Sequence, residues 1–121
     1  MQRDMDLVRR ILMEVEGAPH GSWIELNIEG YSADEVSYHV MLLAQAGLIT
    51  AIDDNGLDEN ISKGWVATGL TWSGHEFLRA ARDDSRWQRA KRMMAQSGKT
   101  LSFEAIKAIL QNLVDQQFKP H

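Results

Sequence analysis

The amino-acid sequence predicts a mainly α-helical fold carrying one small β-hairpin. Three observations predict it. Apolar residues recur at helical spacing in five stretches along the chain. Two short segments, Leu48–Ile52 and Trp65–Leu70, read as strands on either side of a polar loop that holds Asn55–Gly56, a strong hairpin turn signal. Glycines at 17, 47 and 98 stand where helical patterns stop.

The first helix is predicted from about Asp4 to Glu16. Leu7, Val8, Ile11, Leu12 and Val15 form one apolar stripe. Asp4 and Asp6 favour the positive end of the helix dipole, and Gly17 and Pro19 end the helix. In Trp23–Ile28, apolar residues at 24, 26 and 28 alternate with polar ones, so a short strand or extended segment is expected, closed by Gly30. Ser32 then caps a second helix, and Glu35 completes a capping box three residues on. Val36, Val40 and Leu43 form its buried face, and Gly47 stops it.

After the hairpin, Thr71 caps a third helix with Phe77, Leu78 and Ala81 facing inward. Asp83–Asp84–Ser85 either interrupts that helix or starts another. Trp87, Ala90 and Met94 share one side of the next stretch, which Gly98 ends. Ser102 caps the last helix, where Phe103, Ile106, Ile109, Leu110, Leu113 and Val114 make a strong apolar stripe. The expected division is a first domain over 1–84 and a helical C-terminal extension over 85–121. No internal repeat or low-complexity tract is present.

Composition bounds the function. At 121 residues the chain suffices for one core, and 44% hydrophobic with 25% charged residues is ordinary for a soluble globular protein. No apolar run approaches membrane-spanning length, and the charged, helix-periodic start lacks the segments of a signal peptide, so a cytoplasmic protein without a membrane partner is expected. Without cysteine, disulfides and thiolate metal sites are excluded. The net charge of −4 is unevenly spread. Residues 1–78 hold four basic and thirteen acidic side chains, a balance of −9, whereas residues 79–99 hold seven and two, a balance of +5.

The order of elements matches a winged helix: a recognition-type helix followed directly by a two-stranded wing. Val36–Ile49, VSYHVMLLAQAGLI, resembles the recognition-helix segment of arsenical-resistance-repressor-type winged-helix regulators, which show a V-S-x-H-L-x-x-L-x-x-A-G-L-[VI] pattern. Leu70–Leu78, LTWSGHEFL, resembles the L-T-x-x-G-x-x-[FL]-L segment that leaves the wing in many such domains. The chain over most of residues 1–90 is also similar to an uncharacterised family of bacterial and prophage proteins. Its members open with a near copy of Arg3–Arg9, RDMDLVR, and carry G-Y-S, H and A-G-L-I motifs. Two departures from the regulators stand out. The scaffold helix is replaced by the strand-like SWIELNIEG, and the first turn of the recognition-type helix is Ala33–Asp34–Glu35.

The resemblance implies a small regulator that binds double-stranded DNA, with Val36–Ala46 entering the major groove. The candidate contacts are Ser37, Tyr38 and His39 on that helix and Lys63 on the wing. Arg79, Arg82, Arg86, Arg89 and Arg92 are the candidates for phosphates, four of them on one face if the helix is continuous. His39 alternatively packs against the wing with one satisfied hydrogen bond. A homodimer through the C-terminal helices would place two recognition helices at half-site spacing. The alternative reading is a protein-interaction module whose acidic second helix faces a basic partner. Between Ser22 and Thr71 the only basic side chain is Lys63.

Catalysis finds little support. His20, His39, His75 and His121 do not pair at ligand spacing, no metal or cofactor motif appears, and no enzyme is expected. Ser73–Gly74–His75 places its side chains in different directions on one helical turn, so these residues cannot form a triad. Asp53, Asp54, Asp58 and Glu59 lack calcium-loop spacing and read as a solvated wing tip.

Overall fold

The structure, a computed structural model, describes residues 1–19, 21–54, 64–98 and 102–118. The turn expected at Asn55–Gly56 and the wing residue Lys63 lie outside the described residues, as do His20 and His121. The architecture is mainly helical with a two-stranded antiparallel hairpin and C-terminal helices, a winged-helix-like order of elements. The chain divides into two compact units, Met1–His75 and Glu76–His121.

In the first unit, α1 (Met5–Glu16) buries Met5, Leu7, Val8, Ile11, Leu12 and Val15, as its apolar stripe requires. Fully burying an aliphatic side chain of this size contributes about 1.5–3 kcal/mol. The segment after α1 forms a single bridge, not a strand. The Ile24 N–H donates to the Ala67 carbonyl and the Gly21 N–H to the Thr68 carbonyl, both at 2.9 Å, and among the described residues no strand ladder follows. The alternation read from the sequence survives only as burial, with Ile24 and Ile28 buried and Leu26 half-buried. The backbone then turns at Gly30, φ 89°, to start the next helix.

α2 (Ala33–Gln45) begins with the expected capping box: the Glu35 N–H donates to Ser32 Oγ, and the Ser32 N–H donates to Glu35 Oε1, both at 3.1 Å. It packs on α1 and on both strands, β1 (Ile49–Asp53) and β2 (Trp65–Leu70). The strands pair antiparallel from Ile49↔Leu70 to Asp53↔Trp65, with a bulge between Thr50 and Ala51.

The two segments that carry the regulator resemblance meet in one joint. The Thr71 N–H donates to the Leu48 carbonyl at 3.0 Å, and Thr71 Oγ1 donates to the Gly47 carbonyl at 2.6 Å. That same oxygen accepts from the Gly74 N–H at 3.0 Å, capping α3 (Trp72–Ala81). A Cβ on Gly74 would overlap the Leu48 carbonyl oxygen, so only glycine lets the helix start approach the turn between α2 and β1 this closely.

In the second unit, α4 (Asp84–Ser97) packs on α5 (Phe103–Gln117). Asp83 caps α4 by accepting the Arg86 N–H at 2.8 Å, and Gly98 ends it in the left-handed conformation, φ 71°. Trp87, Ala90 and Met94 are buried, as are Ile106, Leu110 and Leu113 of α5. Phe77 and Phe103 stack at a tilt with centroids 4.9 Å apart. No helix among the described residues is long and apolar enough to cross a membrane.

Candidate functional site

The α2 residues expected to read DNA are largely spent inside the fold. His39 is 1% exposed. Its Nδ1–H lies 2.8 Å from the Glu35 carbonyl, and its Nε2 lies 2.8 Å from the backbone nitrogen of Asp4. A backbone N–H can only donate and a carbonyl can only accept, so the ring is neutral with its proton on Nδ1. The sequence reading allowed His39 one hydrogen bond against the wing; it makes two, and one reaches the start of α1. Ser37 Oγ accepts the Trp65 N–H at 2.9 Å, tying α2 to β2. A Cβ on Gly64, φ 72°, would overlap that hydroxyl. Tyr38 is half-buried, its ring edge-on to His39 at 5.6 Å.

His39 belongs to a latch that sequence reasoning missed. Asp4 Oδ1 caps α1 by accepting from the N–H groups of Asp6 and Leu7, at 2.9 and 3.2 Å. Asp4 Oδ2 accepts the Tyr31 hydroxyl at 2.9 Å. Asp4 thus joins three elements: its own helix, the turn before α2 and the middle of α2. Burial holds the Tyr31 phenol above its ordinary range. Its bond to Asp4 adds to the shift, as do the negative charges of Asp4, Asp6 and Glu35. The stretches RDMD, GYS and the helix histidine, noted above as motifs, supply these three side chains. Their roles are structural in this arrangement.

The arginines of the second unit do not form one continuous helix face. The helix breaks between α3 and α4, with Arg82 in the break and Asp83 as the cap of α4. The acidic pair Asp83–Asp84 stops the first helix because a carboxylate there gains a hydrogen bond from the next helix's free N–H groups. Arg79, Arg82, Arg89 and Arg92 are exposed. Arg86 is half-buried and committed locally: its guanidinium donates to the Ala80 carbonyl at 3.1 Å and to Gln117 Oε1 at 2.6 Å. With Arg89, Ser85, Leu113 and Gln116 it lines an open hollow of about 420 Å³.

On the first unit, the extended segment, α2 and β2 enclose a groove of about 310 Å³. Ile24, Val36, Val40 and Val66 are buried beneath it, and Trp23 and Trp65 border it. Trp23 is 51% exposed. Glu25 lies on its rim. Among the described residues no group of three or more histidines and carboxylates is placed to hold a metal ion.

Comparison with known proteins gives a family without an assigned activity. A curated protein of Haemophilus influenzae, described as "Uncharacterized protein", is 38% identical over 118 residues, covering 96% of this chain and 98% of that protein. No solved structure gave a significant match. The model of the family described as "Hypothetical protein (DUF2513)" matches residues 2–102, and on that span the chain belongs to the DUF2513 family.

Proposed function

We propose that this chain is a non-catalytic protein-interaction module whose acidic first unit receives a basic partner at the α2 face. One observation carries the reading. The polar atoms of Ser37 and His39, which a DNA-reading α2 would turn to base edges, are bonded within the fold. The charged side chains that α2 and its flank leave exposed are acidic: Asp34, Glu25 and Glu29. Phosphates are repelled by such a surface and cationic side chains are drawn to it. The expected cytoplasmic location belongs to this same proposal.

A second reading keeps double-stranded DNA as the ligand and the chain as a small transcriptional regulator of bacterial or prophage origin. The exposure of Arg79, Arg89 and Arg92 favours it. In that reading the second unit supplies the phosphate contacts. Self-association through the C-terminal helices, with Phe118 exposed at the end of α5, would double the basic surface.

One titration separates the two. Purified protein is titrated against mixed genomic DNA fragments and against an array of basic peptides, each across a salt series. The interaction reading expects peptide binding that weakens with salt and is lost in Asp34→Lys, with no DNA binding at low salt. DNA binding that falls steeply with salt and is lost in the Arg89→Glu, Arg92→Glu double variant would replace it with the regulator reading.

A further inference from the structure

We propose that the groove between the extended segment, α2 and β2 is the docking site for a basic polypeptide segment that inserts one bulky apolar side chain. The proposal rests on the interaction reading above and names where and how the partner binds. Three features carry it.

The first is an apolar floor with aromatic lips. Ile24, Val36, Val40 and Val66 lie below, and Trp23 and Trp65 stand at the edge. A half-exposed tryptophan beside a concave apolar surface leaves area that a partner side chain would remove from water. The volume of about 310 Å³ is at the small end of the range for binding pockets, roughly 300–1,000 Å³, and fits one side chain with its flanking backbone.

The second is the sign of the charge. Glu25 lines the groove. A neighbouring hollow of about 340 Å³ shares Leu26, Asn27, Ala33 and Val36 with it and adds Glu29. Asp34, next to Ala33, is exposed. Among the described residues, neither hollow is lined by a basic side chain. On the far flank of the segment, where Glu25 also borders a hollow with Arg9 and Arg10, Arg10 is bonded to Glu14 at 3.1 Å. Lysine or arginine on either side of the inserted residue meets carboxylates along the groove and the indole face of Trp23.

The third is that the segment forming one wall of the groove is not locked into the sheet. Among the described residues it bridges β2 at Ile24 alone, which leaves the backbone of residues 25–28 outside any strand.

The test uses the full chain and fluorescein-labelled peptides carrying one Leu, Phe or Met between Lys and Arg residues. Two companion sets replace the apolar residue by Gly, or the cations by Glu. Backbone amide spectra are recorded for the protein and for two variants, Trp23→Ala at the exposed lip and Ala33→Trp, which fills the groove from an exposed position. The expected result is binding of the basic–apolar peptides with amide shifts confined to residues 23–27, 33–40 and 65–66. Each companion set and each variant should weaken binding roughly tenfold or more.

If peptides bind with the same salt dependence but ignore Trp23→Ala and Ala33→Trp, the groove assignment is overturned while the interaction reading stands. If no peptide binds, both fall, and DNA binding in the same assay would establish the regulator instead. Groove amides that respond to a free apolar compound such as indole but to no peptide would also overturn the proposal, in favour of a small-molecule pocket. Trp23→Ala keeps the test decisive if Ala33→Trp disturbs the fold.

Discussion

Replacing His39 by phenylalanine should cost about 2 kcal/mol, a figure built from its two bonds. The Asp4 N–H loses its acceptor in a half-buried position, which costs about 1–3 kcal/mol when no water replaces it. The bond from Nδ1–H to the Glu35 carbonyl contributes about 0.5–1.5 kcal/mol net, and the carbonyl keeps its helical partner. Phenylalanine is close to histidine in shape and more apolar, so part of the loss is offset by burial. Urea unfolding followed by circular dichroism reads the change, with a midpoint lower by roughly 1 M for an ordinary m-value. A cycle with Tyr31→Phe adds a second check. Both side chains act through Asp4, so the double variant should depart from additivity by about 0.5 kcal/mol or more. A His39→Phe protein within about 0.5 kcal/mol of the parent would refute the latch as a source of stability.

Further outcomes follow from the same geometry. Gly74→Ala forces a Cβ onto the Leu48 carbonyl oxygen and should destabilise the first unit by about 2 kcal/mol or more, measured by thermal unfolding. Ser37→Ala removes the acceptor of the Trp65 N–H and should cost about 1 kcal/mol, with faster amide exchange at Trp65. Because the Tyr31 phenol is raised in the folded state, its contribution is complete below about pH 10, the ordinary tyrosine value, and is lost as pH rises through the folded value. The unfolding free energy of the parent should therefore fall more steeply above pH 10 than that of Tyr31→Phe, and superimposable pH profiles would contradict the bond to Asp4. In the second unit, Arg86→Ala should lower the melting temperature more than Arg89→Ala, since the Arg86 guanidinium ties the Ala80 carbonyl of α3 and Gln117 of α5 to α4.

The sequence by itself determined what depends on neighbours in the chain. Helix periodicity, the Ser32–Glu35 box, the caps at Thr71 and Ser102, and the stop at Gly98 are local, and each is present. So are the positions of the two hairpin strands, to within a residue. These features rest on dihedral preference and on bonds spanning two to four residues, which a sequence displays directly. The tertiary structure decided whatever required distant partners. The sequence left His39 between a DNA contact and a histidine packed against the wing, and Asp4, 35 positions away, decides its role by donating its N–H to Nε2. Ser37 and Gly64 gain their meaning only against each other. The alternation at Ile24, Leu26 and Ile28 announced a strand, but a ladder needs a partner in register along its length, and only Ile24 found one. The arginine stripe depended in the sequence on one continuous helix. Asp83 settled it by capping α4, because a carboxylate next to free N–H groups is stabilised by them. The groove beside Trp23 was invisible for the same reason: a concave surface belongs to three segments at once and to none of them alone.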